Sequence, residues 1–213
     1  MTVPLVMVGA GGFGREALDV VEAFNQNAAE PFDVLGVLDD QPSELASRRL
    51  RERDIPFLGA IGDWLSSSRD AQYLVGVGSP AARERIDALF QAAGHRAATV
   101  VHPRAELGSR VRLGEGSVVC AGVQVSTNVT LGRHVHLNPG AIIGHDAILD
   151  DFVSVNPGAI VSGEVRVERA SLLGAGSVVL QGLTIGAECT VGAAACVTRD
   201  VRPGSVVKGI PAR

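Results

Sequence analysis

The chain has 213 residues and a mass of 22.0 kDa, enough for one large domain or two small ones with a hydrophobic core. Its formal net charge of −4 and pI near 5.7 give no broadly basic surface, which argues against nucleic acid as the main partner. Aromatic residues make up only 4% while glycine reaches 26 residues, a composition that favours a solenoid with many tight turns.

Cysteine usage and apolar patterning indicate the cellular context. The three cysteines are an odd number without paired CxxC spacing, which is typical of small buried thiols in a reducing compartment: Cys120, Cys189 and Cys196. No apolar run approaches the roughly 18 residues of a membrane span, and the N-terminus lacks a basic region before a cleavable apolar stretch. The sequence therefore predicts a cytoplasmic protein that is not inserted in a membrane and holds no metal.

The first half of the chain alternates short apolar strands with helical patterns. Residues 5–8 predict a buried strand, residues 9–14 a glycine-rich loop, and the apolar spacing after the loop a helix. Further strands are predicted at 34–38 and 73–77, the last followed by a helix that reaches Phe90. This alternation predicts a small parallel α/β sheet with a ligand at the carboxyl ends of its strands.

The glycine loop has the spacing of a dinucleotide-binding fingerprint. Gly9, Gly11 and Gly14 match it, and Asp39 follows 25 residues after the last glycine. A full dinucleotide fold uses two mononucleotide halves, whereas only about one fits before the second half of the chain begins. Backbone N–H groups at the start of the helix would equally suit the phosphates of a nucleotide-sugar, and NAD binding stays open as an alternative.

Every sixth residue of the second half is aliphatic. Reading from Val101 to Val197 gives seventeen aliphatic residues without a break in register. Period six fits neither the 3.6-residue period of a helix nor simple alternation, so it predicts short strands separated by turns. Glycine often follows the aliphatic position, where it is expected to permit tight turns. Three hexads make a coil of 18 residues, and such coils are expected to stack as parallel strands about 4.8 Å apart.

These repeats resemble those of the hexapeptide-repeat acyltransferases. The family motif of an aliphatic residue, a glycine and a small residue is matched at 113–117 and 173–177. The resemblance implies a left-handed parallel β-helix, placed here at residues 98–202, with a C-terminal cap at 203–213. It also implies a homotrimer with acetyl-CoA lying between neighbouring prisms.

A short glycine-loop domain before such a prism is similar to the sugar O-acyltransferase, sialic acid O-acetyltransferase NeuD-like family. That family includes PglD-like N-acetyltransferases of UDP-linked 4-amino-4,6-dideoxy sugars. The matching segments span the chain: 8–14, 38–40, 76–79, 143–146 and 207–213. The resemblance implies a Rossmann-like nucleotide-sugar-binding domain at residues 1–97 and acetyl transfer from acetyl-CoA to an amino group of the sugar.

The resemblance assigns the nucleotide-sugar pocket to the first three of these segments. Its candidate binding residues are Gly9, Gly11, Gly12, Phe13, Gly14, Asp39, Asp40, Gly78 and Ser79. Phe13 is a departure, because some members carry a histidine in the glycine loop. Asn138, in the hexad before the Gly-His-Asp segment, is a further candidate for contact with the substrate.

Acetyl transfer from a thioester to an amine needs a base, a donor for the developing oxyanion and close positioning of the substrates. His145 is the candidate base, and Asp146 beside it is expected to orient the imidazole. Gly163 follows His145 by 18 residues, one coil further on the same face, and the resemblance supports its amide as the oxyanion donor in the acetyl-CoA site. Direct attack by the amine needs no acyl-enzyme.

Three more residues are assigned to the acetyl-CoA site. Ser154 stands where relatives often carry a second histidine, so that histidine has no counterpart here. Lys208 and Arg213 in the tail are candidates for the phosphates of CoA, with ordinary surface charge as the alternative.

Three alternatives compete with amine acetylation. The same base and oxyanion donor would serve a hydroxyl, so O-acetylation of a sialic-acid-like sugar is one alternative. A non-catalytic nucleotide-sugar-binding protein is another, although His145 with Asp146 argues against it. Zinc ligation by His134, His136 and His145, as in carbonic-anhydrase relatives of the prism, does not fit their separations of 2 and 9 residues. His134 and His136 are instead expected to face solvent in turns.

Overall fold

A computed structural model describes residues 2–67 and 70–213 of the chain. The chain divides into two compact units, Met1–Val100 and Val101–Arg213. Within the described residues, no helix combines the length and the apolar character that crossing a bilayer requires.

The first unit is a four-stranded parallel sheet with four helices. Its elements in chain order are β1 (Val3–Val8), α1 (Gly12–Asn25), β2 (Phe32–Leu38), α2 (Glu44–Arg51), β3 (Phe57–Gly59), α3 (Ile61–Leu65), β4 (Gln72–Val75) and α4 (Pro80–Ala92). The strands lie in the order β3-β2-β1-β4. The strand order reverses at β1, because β2 lies on one side of it and β4 on the other. The loops after β1 and β4 therefore leave the edge of the sheet in opposite directions. Ligands of open parallel sheets bind at such a point.

Burial explains why the sequence folds this way. Leu5, Val6 and Met7 are fully buried, as expected for a central parallel strand covered on both faces. The predicted strands at 5–8 and 34–38 are confirmed, whereas the strand predicted at 73–77 ends at Val75, next to Gly76, which packs against Gly14 of the glycine loop. Strand β3 and helices α2 and α3 were not predicted from the sequence. Helix α2 has few apolar residues and begins instead at a cap, where Ser43 Oγ accepts a hydrogen bond from the Ala46 N–H at 3.1 Å.

The second unit is a three-sided stack of two-residue strands. Its strands are β5 (Val100–Val101), β6 (Glu106–Leu107), β7 (Arg112–Leu113), β8 (Val118–Val119), β9 (Gln124–Val125), β10 (Thr130–Leu131), β11 (His136–Leu137), β12 (Ile142–Ile143), β13 (Ile148–Leu149), β14 (Ser154–Val155), β15 (Ile160–Val161), β16 (Arg166–Val167), β17 (Leu172–Leu173), β18 (Val178–Val179), β19 (Thr184–Ile185), β20 (Thr190–Val191), β21 (Cys196–Val197) and β22 (Val206–Val207). They form parallel sheets of five, seven and six strands.

The hexad register is confirmed by the core of this prism. The seventeen aliphatic positions are the second residues of β5 to β21, and from Val119 to Val197 none is more than 4% exposed. Successive coils pair three strands apart along the chain, as β12 does with β9 and β15. The aliphatic row therefore fills the interior, while the first residue of each strand lies on the opposite face of its sheet. That residue is exposed or half-buried in most strands but buried in β5, β8, β11 and β14.

Glycine directly follows many of the aliphatic positions for a different structural reason from the one expected. These glycines do not provide the positive φ of the turns, which falls two residues later and is mostly occupied by other residue types, such as Asp146 at φ 59°. A Cβ on Gly114, Gly144 or Gly174 would instead overlap or crowd the backbone of the next coil. Glycine is needed there because neighbouring coils approach too closely for a side chain.

The C-terminal tail continues the stack. Val206–Val207 pairs with Thr190–Val191 and adds a strand to the seven-stranded sheet. The tail then returns to the six-stranded sheet, where Cys196 donates its N–H to the Gly209 carbonyl and Ala212 donates to the Cys196 carbonyl, at 3.0 and 2.8 Å. Backbone hydrogen bonds therefore hold the tail to the last coil.

Candidate active site

His145 lies at an edge of the prism, two residues after the end of β12. The two neighbouring coils fix its backbone through the pairing of β12 with β9 and β15. Its side chain is 46% exposed, and Nδ1 lies 2.8 Å from Oδ2 of Asp146. Because an ionised carboxylate only accepts hydrogen bonds, Nδ1 carries the proton of this pair and Nε2 of the neutral ring keeps its lone pair.

The turn geometry explains how two adjacent side chains can meet. Asp146 adopts φ 59°, and its N–H donates to the Thr127 carbonyl of the preceding coil at 3.0 Å. Its other carboxylate oxygen, Oδ1, accepts a hydrogen bond from Asn128 Nδ2 at 3.1 Å. The hydrogen bonds from His145 and then from Asn128 hold the pKa of Asp146 below its usual range. A negative charge is therefore kept beside Nδ1 at neutral pH.

Gly163 lies beneath the imidazole, one coil beyond His145. A Cβ placed on Gly163 would come within 2.5 Å of Nε2, so the absence of a side chain leaves the space that the ring occupies. The Gly163 carbonyl accepts a hydrogen bond from the Gly182 N–H at 3.0 Å, whereas its own N–H has no acceptor among residues 2–67 and 70–213. The candidate base and an unused backbone donor are thus neighbours.

A cleft of about 510 Å³ ends at His145. It runs over β6, β9 and β12 on the outer side of the six-stranded sheet, and Ile142 contributes an apolar floor that is 39% exposed. The cleft offers an apolar surface beside the base, which suits the hydrocarbon part of an acyl donor.

Two predicted site residues are not brought to this edge. Asn138 is 7% exposed, and its Nδ2 donates to the Val155 carbonyl at 3.1 Å and to Asn156 Oδ1 at 3.3 Å. Ser154 is 2% exposed in β14. Asn138 follows β11, and both β11 and β14 belong to the seven-stranded sheet, whereas His145 follows a strand of the six-stranded sheet.

The expectation that His134 and His136 face solvent was wrong. His134 is 0% exposed, because its positive φ of 51° turns the ring onto Phe152 one coil further, with ring centroids 5.6 Å apart. His136 is 1% exposed between the neighbouring strands β8 and β14. Within the part of the chain that the structure describes, no group of three or more His, Cys, Asp and Glu side chains is arranged to hold a metal.

The tail brings its two predicted cationic residues together. The N–H of Lys208 donates to the Arg213 carbonyl at 3.0 Å, and the N–H of Arg213 donates back to the Lys208 carbonyl at 3.2 Å. This turn is bonded to β21, which is the last strand of the sheet that also carries β12. Three strand spacings, about 14 Å, separate β12 from β21 along this sheet.

In the first unit, the predicted glycines fall into two groups. Gly9, Gly14 and Gly76 pack against one another: a Cβ on Gly14 would overlap the Gly9 carbonyl, and one on Gly76 would lie 2.5 Å from the Gly14 Cα. Gly11 and Gly12 have nothing within 4 Å of a Cβ position, and Gly78 is equally open. The first group holds β1, α1 and the loop after β4 together, while the second leaves backbone accessible to a ligand.

The two aspartates after β2 both bind backbone. Asp39 accepts hydrogen bonds from the N–H groups of Ala10 and Gln41 at 2.8 and 2.9 Å, so its carboxylate holds the glycine loop. Asp40 accepts from the Ile61 N–H at 2.9 Å, at the start of α3. Both residues nevertheless line a cleft of about 450 Å³ at the carboxyl end of the sheet.

This cleft also involves residues that the sequence reasoning missed. Arg85 and Leu89 of α4 line it. Arg83 is fully buried and donates from one guanidinium nitrogen to the carbonyls of Val77 and Gly78 at 2.9 and 3.3 Å, which fixes the loop after β4. Burial lowers the pKa of Arg83 to about 9. The sequence signal that could have identified Arg83 is its position four residues after Ser79, in the first turns of α4.

Phe13 and Ser79 occupy the two helix starts beside this cleft. Phe13 is the second residue of α1 and is half-buried. Ser79 caps α4, where its Oγ accepts from the Ala82 N–H at 3.4 Å. The first turn of α1 contains no acidic residue and its N-cap is a glycine, so its N–H groups face no carboxylate of their own helix.

Comparison with known proteins identifies related chains. Residues 4–88 match the family described as PglD N-terminal domain, and residues 164–199 match the hexapeptide repeat of succinyl-transferase. The acetyltransferase domain of PglB from Neisseria gonorrhoeae FA1090, in complex with acetyl coenzyme A, is 30% identical, with a TM-score of 0.88 over 100% of this chain and 99% of that chain. No curated protein sequence gives a significant match.

Two further solved structures have the same architecture. A point mutant of perosamine N-acetyltransferase from Caulobacter crescentus, in complex with CoA and GDP-perosamine, is 26% identical, with a TM-score of 0.86 over 99% of this chain and 95% of that chain. WeeI from Acinetobacter baumannii AYE is 26% identical, with a TM-score of 0.84 over 100% and 99% of the two chains.

Identity of 30% over nearly the full length of both chains is enough to establish the family. The chain belongs to the PglD/NeuD-like family of hexapeptide-repeat acyltransferases. Its prism is a left-handed parallel β-helix, as the sequence resemblance implied.

Proposed function

We propose that this chain transfers an acetyl group from acetyl-CoA to an amino group on a nucleotide-linked sugar. The observation that carries the proposal is the arrangement at the prism edge, where Nε2 of His145 lies against Gly163 and Nδ1 is held by Asp146. Relatives that match the whole chain are complexed with acetyl coenzyme A or with CoA and GDP-perosamine. We assign the acyl-transfer domain to residues 98–202 and the cap to 203–213.

The chemistry assigned to the site is direct transfer. The sugar amine attacks the thioester carbonyl carbon, and Nε2 of His145 takes the proton that the amine loses. The Gly163 N–H donates to the oxyanion of the tetrahedral intermediate. When the carbon–sulfur bond breaks, the imidazolium returns the proton to the CoA thiolate, and the amide product is released. The Asp146 carboxylate stabilises the imidazolium between these steps.

We place acetyl-CoA along the six-stranded sheet. The cleft at His145 would hold the acyl end, and Lys208 and Arg213 lie at the other end of the same sheet, where they would meet phosphates. Ser154 and Asn138 are left out of this assignment because Ser154 is buried in β14 and Asn138 is buried directly after β11, both on the side of the seven-stranded sheet.

We place the nucleotide-linked sugar at the carboxyl end of the parallel sheet, in the domain at residues 1–97. The open backbone at Gly11, Gly12 and Gly78 allows phosphates to approach the first turn of α1. Asp39 and Asp40 line the cleft at this sheet edge, although each already binds backbone. Their role is therefore to shape the pocket as well as to contact the ligand.

The proposed reaction is tested by thiol release from acetyl-CoA. Purified protein is assayed with UDP-, GDP- and dTDP-linked 4-amino sugars, each paired with the corresponding 4-hydroxy sugar as a control. We expect turnover with an amino sugar and none with its hydroxyl partner, together with product heavier by one acetyl group in mass spectrometry. Turnover of hydroxyl sugars alone would replace the proposal by O-acetylation, and binding without turnover would favour a sensor.

We also propose that the chain is a cytoplasmic homotrimer. The outer side of the six-stranded sheet exposes a stripe of apolar residues, with Ile142 39% and Leu180 44% exposed, and Ile160 and Val178 half-buried between them. Contiguous apolar surface of this kind favours association with another chain. All three cysteines are free thiols, which fits a reducing compartment. Sedimentation equilibrium is expected to give three times the mass of the chain, and a monomer would contradict the assignment.

A further inference from the structure

A column of turn residues with positive φ runs along the edge that carries His145. Arg110, Asn128, Asp146 and Glu164 have φ values of 62°, 60°, 59° and 61° and are spaced by 18 residues. They are therefore one coil apart, about 4.8 Å along the stack. The column contains four different side-chain types, so this turn does not by itself require asparagine at position 128.

Asn128 has a specific contact within this column. Its Nδ2 donates to Oδ1 of Asp146, while Oδ2 of the same carboxylate faces Nδ1 of His145, at 3.1 and 2.8 Å. Each carboxylate oxygen of Asp146 thus has its own partner. Asn128, Asp146 and His145 form a chain of hydrogen bonds that ends at the imidazole ring.

We propose that Asn128 is a positioning residue for the proposed acetyl transfer, on which this inference rests. Its amide holds one oxygen of Asp146 so that the other stays directed at Nδ1 of His145. Asn128 contacts neither substrate in this assignment and acts only through Asp146.

The backbone supports this role. The N–H of Asn128 donates to the Ser109 carbonyl at 2.9 Å, and the N–H of Asp146 donates to the Thr127 carbonyl at 3.0 Å. Both ends of the contact are thus fixed by bonds between coils. The Asp146 side chain is 49% exposed, so one hydrogen bond to the ring would leave its carboxylate free to rotate. The second bond fixes the carboxylate plane, and with it the ring that the carboxylate holds.

A neutral donor suits this position better than a cation. An amide stabilises the carboxylate without cancelling the negative charge that the imidazolium needs during proton transfer. The charged residues in the same column are Arg110 on the far side of Asn128 and Glu164 on the far side of Asp146, with His145 beside Asp146. Asn128 therefore separates the nearest cation of the column from the carboxylate.

The decisive variant is Asn128→Gly, because glycine adopts the φ of 60° freely and removes only the amide. We expect kcat to fall roughly five- to tenfold, the effect of losing one typical intramolecular hydrogen bond at an exposed site, with both KM values within about twofold. Arg110→Gly is the matched control, since it makes the same change at the same turn one coil earlier. It should leave kcat unchanged within about twofold.

A second readout does not depend on activity. The carboxyl ¹³C resonance of Asp146, assigned by its loss in Asp146→Asn, is titrated in the wild type and in both glycine variants. Because the Asn128 amide favours the ionised carboxylate, its removal should raise the pKa of Asp146, and Arg110→Gly should not reproduce that rise to the same extent.

The outcomes separate this inference from the proposed function. A lower kcat together with the raised titration midpoint in Asn128→Gly alone supports positioning. An unchanged midpoint, an unchanged kcat, or an equal kcat loss in Arg110→Gly overturns it. A wild type without turnover on any acceptor refutes the proposed function instead, and the titration still decides whether Asn128 holds Asp146.

Discussion

Replacement of His145 by alanine is expected to lower kcat for acetyl transfer by at least about a hundredfold, the effect of losing a positioned general base. Nε2 is the ring nitrogen that Asp146 does not engage, and it lies against Gly163, whose N–H has no acceptor among the described residues. Both KM values should stay within about twofold, because the ring lies at one end of the cleft and supplies little binding surface. Steady-state thiol release measures both parameters.

Two further variants separate the roles of the ring nitrogens. His145→Asn keeps an amide donor close to the position of Nδ1 and removes Nε2, so its kcat should fall as far as that of His145→Ala. His145→Gln places an amide nearer Nε2, which cannot act as a base, and should be equally impaired. If His145→Asn retained most of the activity, the hydrogen bond to Asp146 and not proton transfer would be the function of this residue. Unchanged thermal unfolding in all three variants is the control for folding.

The prism was predictable because its sequence constraint is periodic. One aliphatic residue in six must point inward in every coil, so the register could be read without knowing any contact, and Val119 to Val197 obey it. Glycine was an incomplete guide to the positive-φ turns, because most of them carry other residue types and because glycine also marks the places where coils touch, as at Gly144. Asn128 and Asp146 of the candidate active site occupy such turns.

The first unit was predictable in outline only. Its two strongest strands and its glycine loop have local signals, whereas α2 depends on the Ser43 cap and on tertiary packing. The fingerprint glycines could not be sorted by sequence into those that pack and those that stay open. The structure makes that distinction, because a Cβ on Gly14 would overlap the Gly9 carbonyl whereas a Cβ on Gly12 would have no atom within 4 Å.

Side-chain direction was the least predictable feature of the candidate site. Asn138 and His145 both follow strands of the prism and both look like polar residues in turns. The Asn138 amide bonds inward to Val155, while His145 stands at an edge with its side chain half exposed. The two residues occupy different hexad positions, since Asn138 directly follows β11 and His145 stands two residues after the end of β12. They also follow strands of different sheets, which the sequence period does not distinguish.

The second large effect is expected at Gly163, where alanine should lower kcat about tenfold to a hundredfold by displacing the imidazole, since displacements near 1 Å carry penalties of this size. The three heavy atoms nearest to the added Cβ would all be ring atoms of His145, the nearest at 2.5 Å, so we expect the ring to move and the backbone with its N–H to stay in place. The φ of Gly163 is not positive, and thermal unfolding should therefore change little.

A double-mutant cycle shows whether Gly163 acts through the ring. In a His145→Ala background the space above residue 163 is empty, so adding Gly163→Ala should cause almost no further loss of kcat. The wild-type background should show the full loss. Equal losses in both backgrounds would mean that alanine disturbs the site independently of the imidazole, for example by moving the N–H that is assigned to the oxyanion. A crystal structure of Gly163→Ala would in that case show the ring in place and the turn shifted. If Gly163 acts through the ring, the structure shows a displaced ring over an unchanged turn.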